Sequence, residues 1–314
     1  MQNLIFSLNA TIPVFLLMIL GYILKLLKIV DAPFVKTLNV FNYKITLPVL
    51  LFRDIAESNL FIQWDIVYVL YCFFITLTCI LFVTILASIF YNGNFTGEFI
   101  QASYRGSAAV LGIAFIQNMY GNTGMAPLMI IGTVPLYNIA AVLILSFSGP
   151  CGRHINKKSL LTSILEILTN PIILSILIGI LVSLTKIRIP IIMEKSIDSV
   201  ASLATPLALI GLGAGFEGRK ALKQMKPTFV CAFIKLLLQP LLFLPLAAWL
   251  SFRDEKMVAI LIMLGAPTTV SCYIMAKNMG HEGTLTSSVV VTTTFLSSVT
   301  ITFWLFVLRT MGFI

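Results

Sequence analysis

The sequence predicts an all-α integral membrane protein of ten transmembrane helices, arranged as two inverted five-helix repeats with helices four and nine broken. Three observations predict it. Ten apolar runs approach the length of a bilayer span, the basic residues fall mainly in the gaps between them, and the chain resembles itself at an offset of 158 residues, as from Pro13 to Pro171.

The first observation is compositional. Of 314 residues, 59% are hydrophobic and 11% charged, where soluble domains carry about 25% charged residues. So few charges cannot cover a water-facing surface, and the bilayer is the solvent that suits the chain. The net charge of +9 sits in short gaps between apolar runs, the pattern that membrane topology produces. There is no basic tail or Arg-rich arm, so no nucleic-acid partner is expected. Four of the five cysteines (Cys72, Cys79, Cys231 and Cys272) lie within apolar runs, no Cys-x-x-Cys pair exists, and His154 and His281 are far apart. Neither a disulfide framework, a metal site nor a cofactor is expected.

A spanning helix needs about 20 apolar residues. The first run, Leu4–Leu24, is too long for a signal-peptide core and has no basic segment ahead of it, so it reads as a retained helix. Pro33–Ile55, Ile66–Phe90, Phe99–Met119 and Ala126–Phe147 follow. Residues 1–150 form the first repeat on this reading. The largest basic break, Cys151 to Lys158, is a cytoplasmic linker, and residues 159–314 form the second repeat. Its spans are Leu160–Leu184, Ile189–Phe216, Thr228–Leu250, Met257–Asn278 and Thr284–Leu308.

The repeat rests on identities at the 158-residue offset. Pro13 falls on Pro171, Leu16 on Leu174, Gly21 on Gly179, Leu26 on Leu184, Lys28 on Lys186 and Ile29 on Ile187. Pro48 falls on Pro206 without a gap. Prolines and glycines shape helices, and Pro48, Pro206 and Pro267 are expected as breaks or hinges. An odd number of spans per repeat inverts one half relative to the other. With the amino terminus outside, eleven Lys and Arg lie on the cytoplasmic side and seven on the outer side. That bias orients a multi-pass plasma-membrane protein.

In inverted-repeat proteins a ligand site lies near the midplane, where helices are broken and the freed backbone faces a cavity. The fourth span contains Tyr104-Arg105-Gly106-Ser107 and continues to Gly112. The ninth contains Gly265-Ala266-Pro267-Thr268-Thr269-Val270-Ser271-Cys272. At the same offset Ala109 falls on Pro267 and Ala114 on Cys272. Either the two loosened backbones face one another across a polar site, or the small residues simply permit close helix packing.

Lys44, Arg105 and Lys235 lie inside spans, where a charge is costly unless partnered. The guanidinium fork of Arg105 suits a carboxylate. It either binds an anionic substrate, pairs with an acid such as Glu98, Asp198 or Glu166, or snorkels to the cytoplasmic face. For Lys44 and Lys235 the structural reading takes precedence. Tyr137 and Asn138, just after Pro135, either bond a neighbouring helix or line a cavity. Asn42, Asn170 and the run Thr292-Thr293-Thr294 carry the same two readings.

Four pieces of sequence, in order, resemble one family. They are Thr46-Leu47-Pro48-Val49-Leu50-Leu51-Phe52; Gly112-Ile113-Ala114 with Asn118-Met119-Tyr120-Gly121; Asn170-Pro171 with Gly179; and Ala266-Pro267-Thr268-Thr269-Val270-Ser271 through Ala276-Lys277. The chain resembles the auxin efflux carrier family, which includes the plant PIN proteins and bacterial malate and malonate permeases. The resemblance implies a scaffold of spans one, two, six and seven. It implies a mobile unit of spans three to five and eight to ten, with elevator-type alternating access. It also implies substrate at the crossing of helices four and nine, and a homodimer. Ser107 stands where the family often has Asn, Ala114 where it often has Pro, and Lys44 where an apolar residue is usual, so selectivity is not copied from plant members.

The expectation is a carrier in the bacterial inner membrane for a small organic anion such as a dicarboxylate. Its substrate would be held by Arg105, Ser107, Gly112, Ala114, Tyr137, Asn138, Pro267, Thr268, Thr269 and Ser271. A sodium-coupled symporter of the bile-acid type needs an acid at a cation site in the mobile unit, and no convincing intramembrane carboxylate is seen there. A non-transporting receptor is a further alternative. An intramembrane enzyme is not expected, because no span contains a His or paired Asp.

Overall fold

The structure is a computed structural model that describes residues 2–56, 65–90, 95–108, 116, 119–120, 125–148, 169–185, 187, 189–216 and 223–314. Among these the chain is helical, with no strand beyond one isolated bridge. Five helices are both long and apolar enough to cross a bilayer: Ile66–Ile89, Leu128–Phe147, Ile191–Gly215, Met225–Trp249 and Thr284–Thr310. That is the composition of a membrane protein folded as helices, in which every backbone group is satisfied within its own segment.

Helix α1 (Gln2–Leu26) ends in a tight turn with Lys28 at φ 57°. Asp31 caps α2 (Ala32–Phe41) by accepting a hydrogen bond from Phe34 N at 2.8 Å, and Pro33 occupies the first turn, where its missing N–H is no loss. A π-turn (Asn42–Thr46) then leads into α3 (Leu47–Ala56). Pro48 follows it directly. A proline ring collides with the carbonyl four residues back and cannot donate, and the wider turn accommodates it. The same device recurs where α9 (Met225–Phe233) passes through a π-turn (Ile234–Leu238) into α10 (Gln239–Trp249), with Pro240 just beyond. Pro206, in contrast, lies inside the unbroken α8 (Ile191–Gly215).

The remaining helices are α4 (Ile66–Phe90), α5 (Thr96–Tyr104), α6 (Ala126–Phe147), α7 (Pro171–Thr185), α11 (Asp254–Gly265), α12 (Ser271–Asn278) and α13 (Thr284–Thr310). Helices starting at Ala32, Ile66, Thr96 and Ala126 have counterparts starting at Ile191, Met225, Asp254 and Thr284, each 158 or 159 residues later.

Packing divides the helices into two groups. In one, α1 lies along α8, and α3 packs on α7 and α8. In the other, α4, α5 and α6 pack together, and α13 packs on α9, α11 and α5. The groups meet where α1 touches α13 and α12 touches α2. Glycines allow the closest approaches. A Cβ on Gly21 would stand 2.2 Å from the carbonyl oxygen of Ile210, and one on Gly179 would stand 3.1 Å from that of Phe52. Both pairs of residues are related by the 158-residue offset, so the two contacts are reciprocal. Gly213 is tighter still, since a Cβ there would lie 1.9 Å from Met18 O.

Candidate functional site

Two helices stop short in the second group. Helix α5 ends at Tyr104, where Arg105 turns extended (φ −85°, ψ 120°); α11 ends at Gly265, where Ala266 turns extended (φ −66°, ψ 150°). Pro267 enforces the second stop, because the residue before a proline is driven out of the helical region. The two extended segments pair antiparallel at Gly106 and Thr268, and Ser107 N donates to Pro267 O at 2.8 Å. Thr268 ties the junction into its surroundings. Its Oγ1 donates to Ala102 O at 2.8 Å, and its N–H donates to Thr293 Oγ1 at 3.0 Å. Beyond the junction, α12 starts afresh at Ser271. Thr269 and Ser271, at its amino end, are half-buried, as is Ser107.

Arg105 is buried, with 4% of its surface exposed. Its Nη2 donates to Asn138 Oδ1 at 2.5 Å, and its Nη1 lies 2.7 Å from Met275 Sδ. Asn138 is held in turn, its Nδ2 donating to Val134 O at 2.8 Å. None of the three acids proposed from sequence is seen to neutralise Arg105. Glu98 is fully buried but accepts from Gly283 N, Thr286 N and Thr286 Oγ1, which makes it the cap of α13. Asp198 lies 3.8 Å from Arg53, and Glu166 lies outside the described residues.

Lys235 is fully buried on the second π-turn and points at the same junction. Its Nζ donates to Tyr104 O at 3.2 Å, Met263 O at 3.1 Å and Gln239 Oε1 at 3.4 Å. The two carbonyls belong to the last turns of α5 and α11, which lack intrahelical partners. Tyr137 completes this wall. Its hydroxyl donates to Met263 O at 3.2 Å, and its carbonyl accepts from Tyr104 Oη at 3.1 Å.

The structure thus brings Arg105, Ser107, Tyr137, Asn138, Pro267 and Thr268 to one junction, with Thr269 and Ser271 at its edge. Gly112 and Ala114 lie outside the described residues. Pro48 and Pro206 sit in the first helix group, and Lys44 is exposed. Asn42 donates to Ala204 O at 3.0 Å, and Asn170 donates to Tyr43 Oη at 2.7 Å; both bind neighbouring helices. Sequence reasoning missed Gln239 and the capping role of Glu98. A Gln four residues after an intramembrane Lys was the available signal for the first.

A cavity of about 540 Å³ lies between the two helix groups, bounded by α2, the end of α8, and α12. Lys25, Lys36, Asn39, Tyr273, Lys277 and His281 are among the residues that line it. Tyr273 is two residues from Met275, which touches Arg105, so little more than half a turn of α12 separates the cavity from the junction.

A family model described as "Membrane transport protein" matches residues 6–305. An uncharacterized transporter of Methanothermobacter thermautotrophicus is 23% identical over 313 residues, covering 96% of this chain and 98% of its own length. The chain therefore belongs to the membrane transport protein family, that of the auxin efflux carriers.

Proposed function

We propose that the chain is a secondary carrier that moves a small organic anion, such as a dicarboxylate, across the plasma membrane by elevator-type alternating access. The observation that carries this reading is a pair of buried cations, Arg105 and Lys235, where two helices are interrupted. Among the described residues neither has a carboxylate within 4.0 Å. A buried charge is costly unless compensated, and among the described residues the Arg105 guanidinium meets an amide oxygen and a thioether. Its remaining donors suit a substrate carboxylate. The amino end of α12 adds the hydroxyls of Thr269 and Ser271 and the positive end of a helix dipole.

The reciprocal contacts of Gly21 and Gly179 support an inverted repeat, because a two-fold relation exchanges such pairs. The group of α1–α3, α7 and α8 then serves as scaffold, and the other group carries the substrate past it. With the amino terminus outside, the cavity is the cytoplasmic mouth, and the excess of Lys25, Lys36 and Lys277 over Asp31 in its lining draws anions inward.

The test is a thermal-shift panel on the purified protein with dicarboxylates, monocarboxylates, amines and neutral solutes, repeated with Arg105→Ala. A ligand of the native state raises the melting temperature by mass action. The reading expects a shift with a carboxylate that disappears in a folded Arg105→Ala protein. A shift with amines or neutral solutes alone would overturn it.

A further inference from the structure

The surroundings of Lys235 are those of a cation site. Three neutral oxygens, Tyr104 O, Met263 O and Gln239 Oε1, converge on one ammonium, and no carboxylate is among them. Two of the three are carbonyls at the closing turns of α5 and α11, where the dipoles of both helices present their negative ends. Gln239 is fixed in place, its Nε2 donating to Ser103 O at 3.0 Å. Gly106 leaves the room required, since a Cβ there would lie 3.0 Å from both Cε and Nζ of Lys235. Without a positive charge, two helix ends would face each other in a space closed to water, Tyr104 O losing its Lys235 donor and Met263 O keeping only the Tyr137 hydroxyl. Those carbonyl ends would also repel an anion bound beside Arg105.

We propose that Lys235 is a resident cation. Its tethered ammonium fills a position between the two broken helices that a dissolved monovalent cation would otherwise have to fill. Because the charge is covalently held, it cannot be picked up on one side of the membrane and released on the other. This position is therefore complete without sodium, and a sodium gradient does not act through it. The statement about driving force rests on the carrier reading; the cation position does not.

The test uses full-length purified protein and needs no substrate. Melting temperatures are compared in choline, sodium and propylammonium chloride for wild type and Lys235→Ala. Propylammonium replaces the atoms that the substitution removes, and choline is too bulky to enter. Wild type should melt at the same temperature in all three salts. Lys235→Ala should melt lower in choline and recover by about 3 °C or more in propylammonium or sodium at concentrations well above the dissociation constant.

Selective stabilisation of the wild type by sodium would overturn the proposal. So would a Lys235→Ala protein that matches wild type in choline, or one indifferent to every cation. If that variant yields no folded protein in choline, it is expressed and purified in propylammonium throughout, and failure to recover it there counts against the proposal equally. Organic-acid binding by the wild type separately decides the carrier reading.

Discussion

Asn138→Asp is the most informative single substitution at the junction. Asn138 Oδ1 is the acceptor for Arg105 Nη2 at 2.5 Å, and both side chains are almost wholly buried. The variant has the same shape but places a carboxylate on the guanidinium permanently. It becomes an internal competitor for a substrate carboxylate. A hydrogen bond to a charged group contributes about 1.5–3 kcal/mol, and each 1.4 kcal/mol is about tenfold in affinity. Anion affinity should therefore fall roughly 10- to 100-fold. Stability should change little, because the new ion pair offsets the lost bond from Asn138 Nδ2 to Val134 O, which is worth about 1 kcal/mol. The assay is equilibrium titration of a dicarboxylate into wild type and variant, with melting temperatures measured alongside. Unchanged or tighter anion binding in a variant of normal stability would refute the role given to Arg105.

Four further substitutions probe the frame. Gly213→Ala forces a Cβ to 1.9 Å from Met18 O and should cost about 3 kcal/mol. Gly280→Ala, at φ +86° but with nothing within 4 Å, should cost only about 1 kcal/mol of backbone strain; thermal melts rank the two. Glu98→Gln weakens the cap on Gly283 N and Thr286 N and should destabilise α13 by about 1–2 kcal/mol, read as increased amide exchange in its first turn. Asp65, just ahead of α4, has its carboxyl held below its usual pKa by the hydrogen bond from Lys256. Its contribution is thus present above the unfolded-state pKa and lost as pH falls through the folded one. Both partners are partly exposed, so Asp65→Asn should cost under about 1 kcal/mol at neutral pH, and the difference from wild type should vanish in melts at strongly acid pH.

The helices were legible where hydrophobicity alone decides them. Ile66–Phe90 and Ala126–Phe147 have the bounds expected from the sequence, because a long apolar run flanked by polar residues has few other options in a bilayer. The end of α11 before Ala266 was legible from Pro267. What could not be read was direction. Lys44 and Lys235 look alike in sequence, both inside apolar runs, and both fall on π-turns. One is exposed and the other fully buried against two helix ends. Helix phase and the neighbour across the interface set that difference, and neither is encoded locally. The pairing of Glu98 was misread for the same reason. It was weighed as a partner for a cation, while the structure gives it the backbone of α13, 185 residues away.

The central claim, that Arg105 serves an anion passing through this junction, is tested most directly by counterflow. Liposomes loaded with an unlabelled dicarboxylate, and containing wild type or Asn138→Asp, are diluted into a trace of the labelled acid. The account predicts transient accumulation of label with wild type, in sodium-free buffer, and strongly reduced accumulation with the variant. Absence of accumulation with every organic acid that binds the protein, or equal accumulation by wild type and variant, would contradict it.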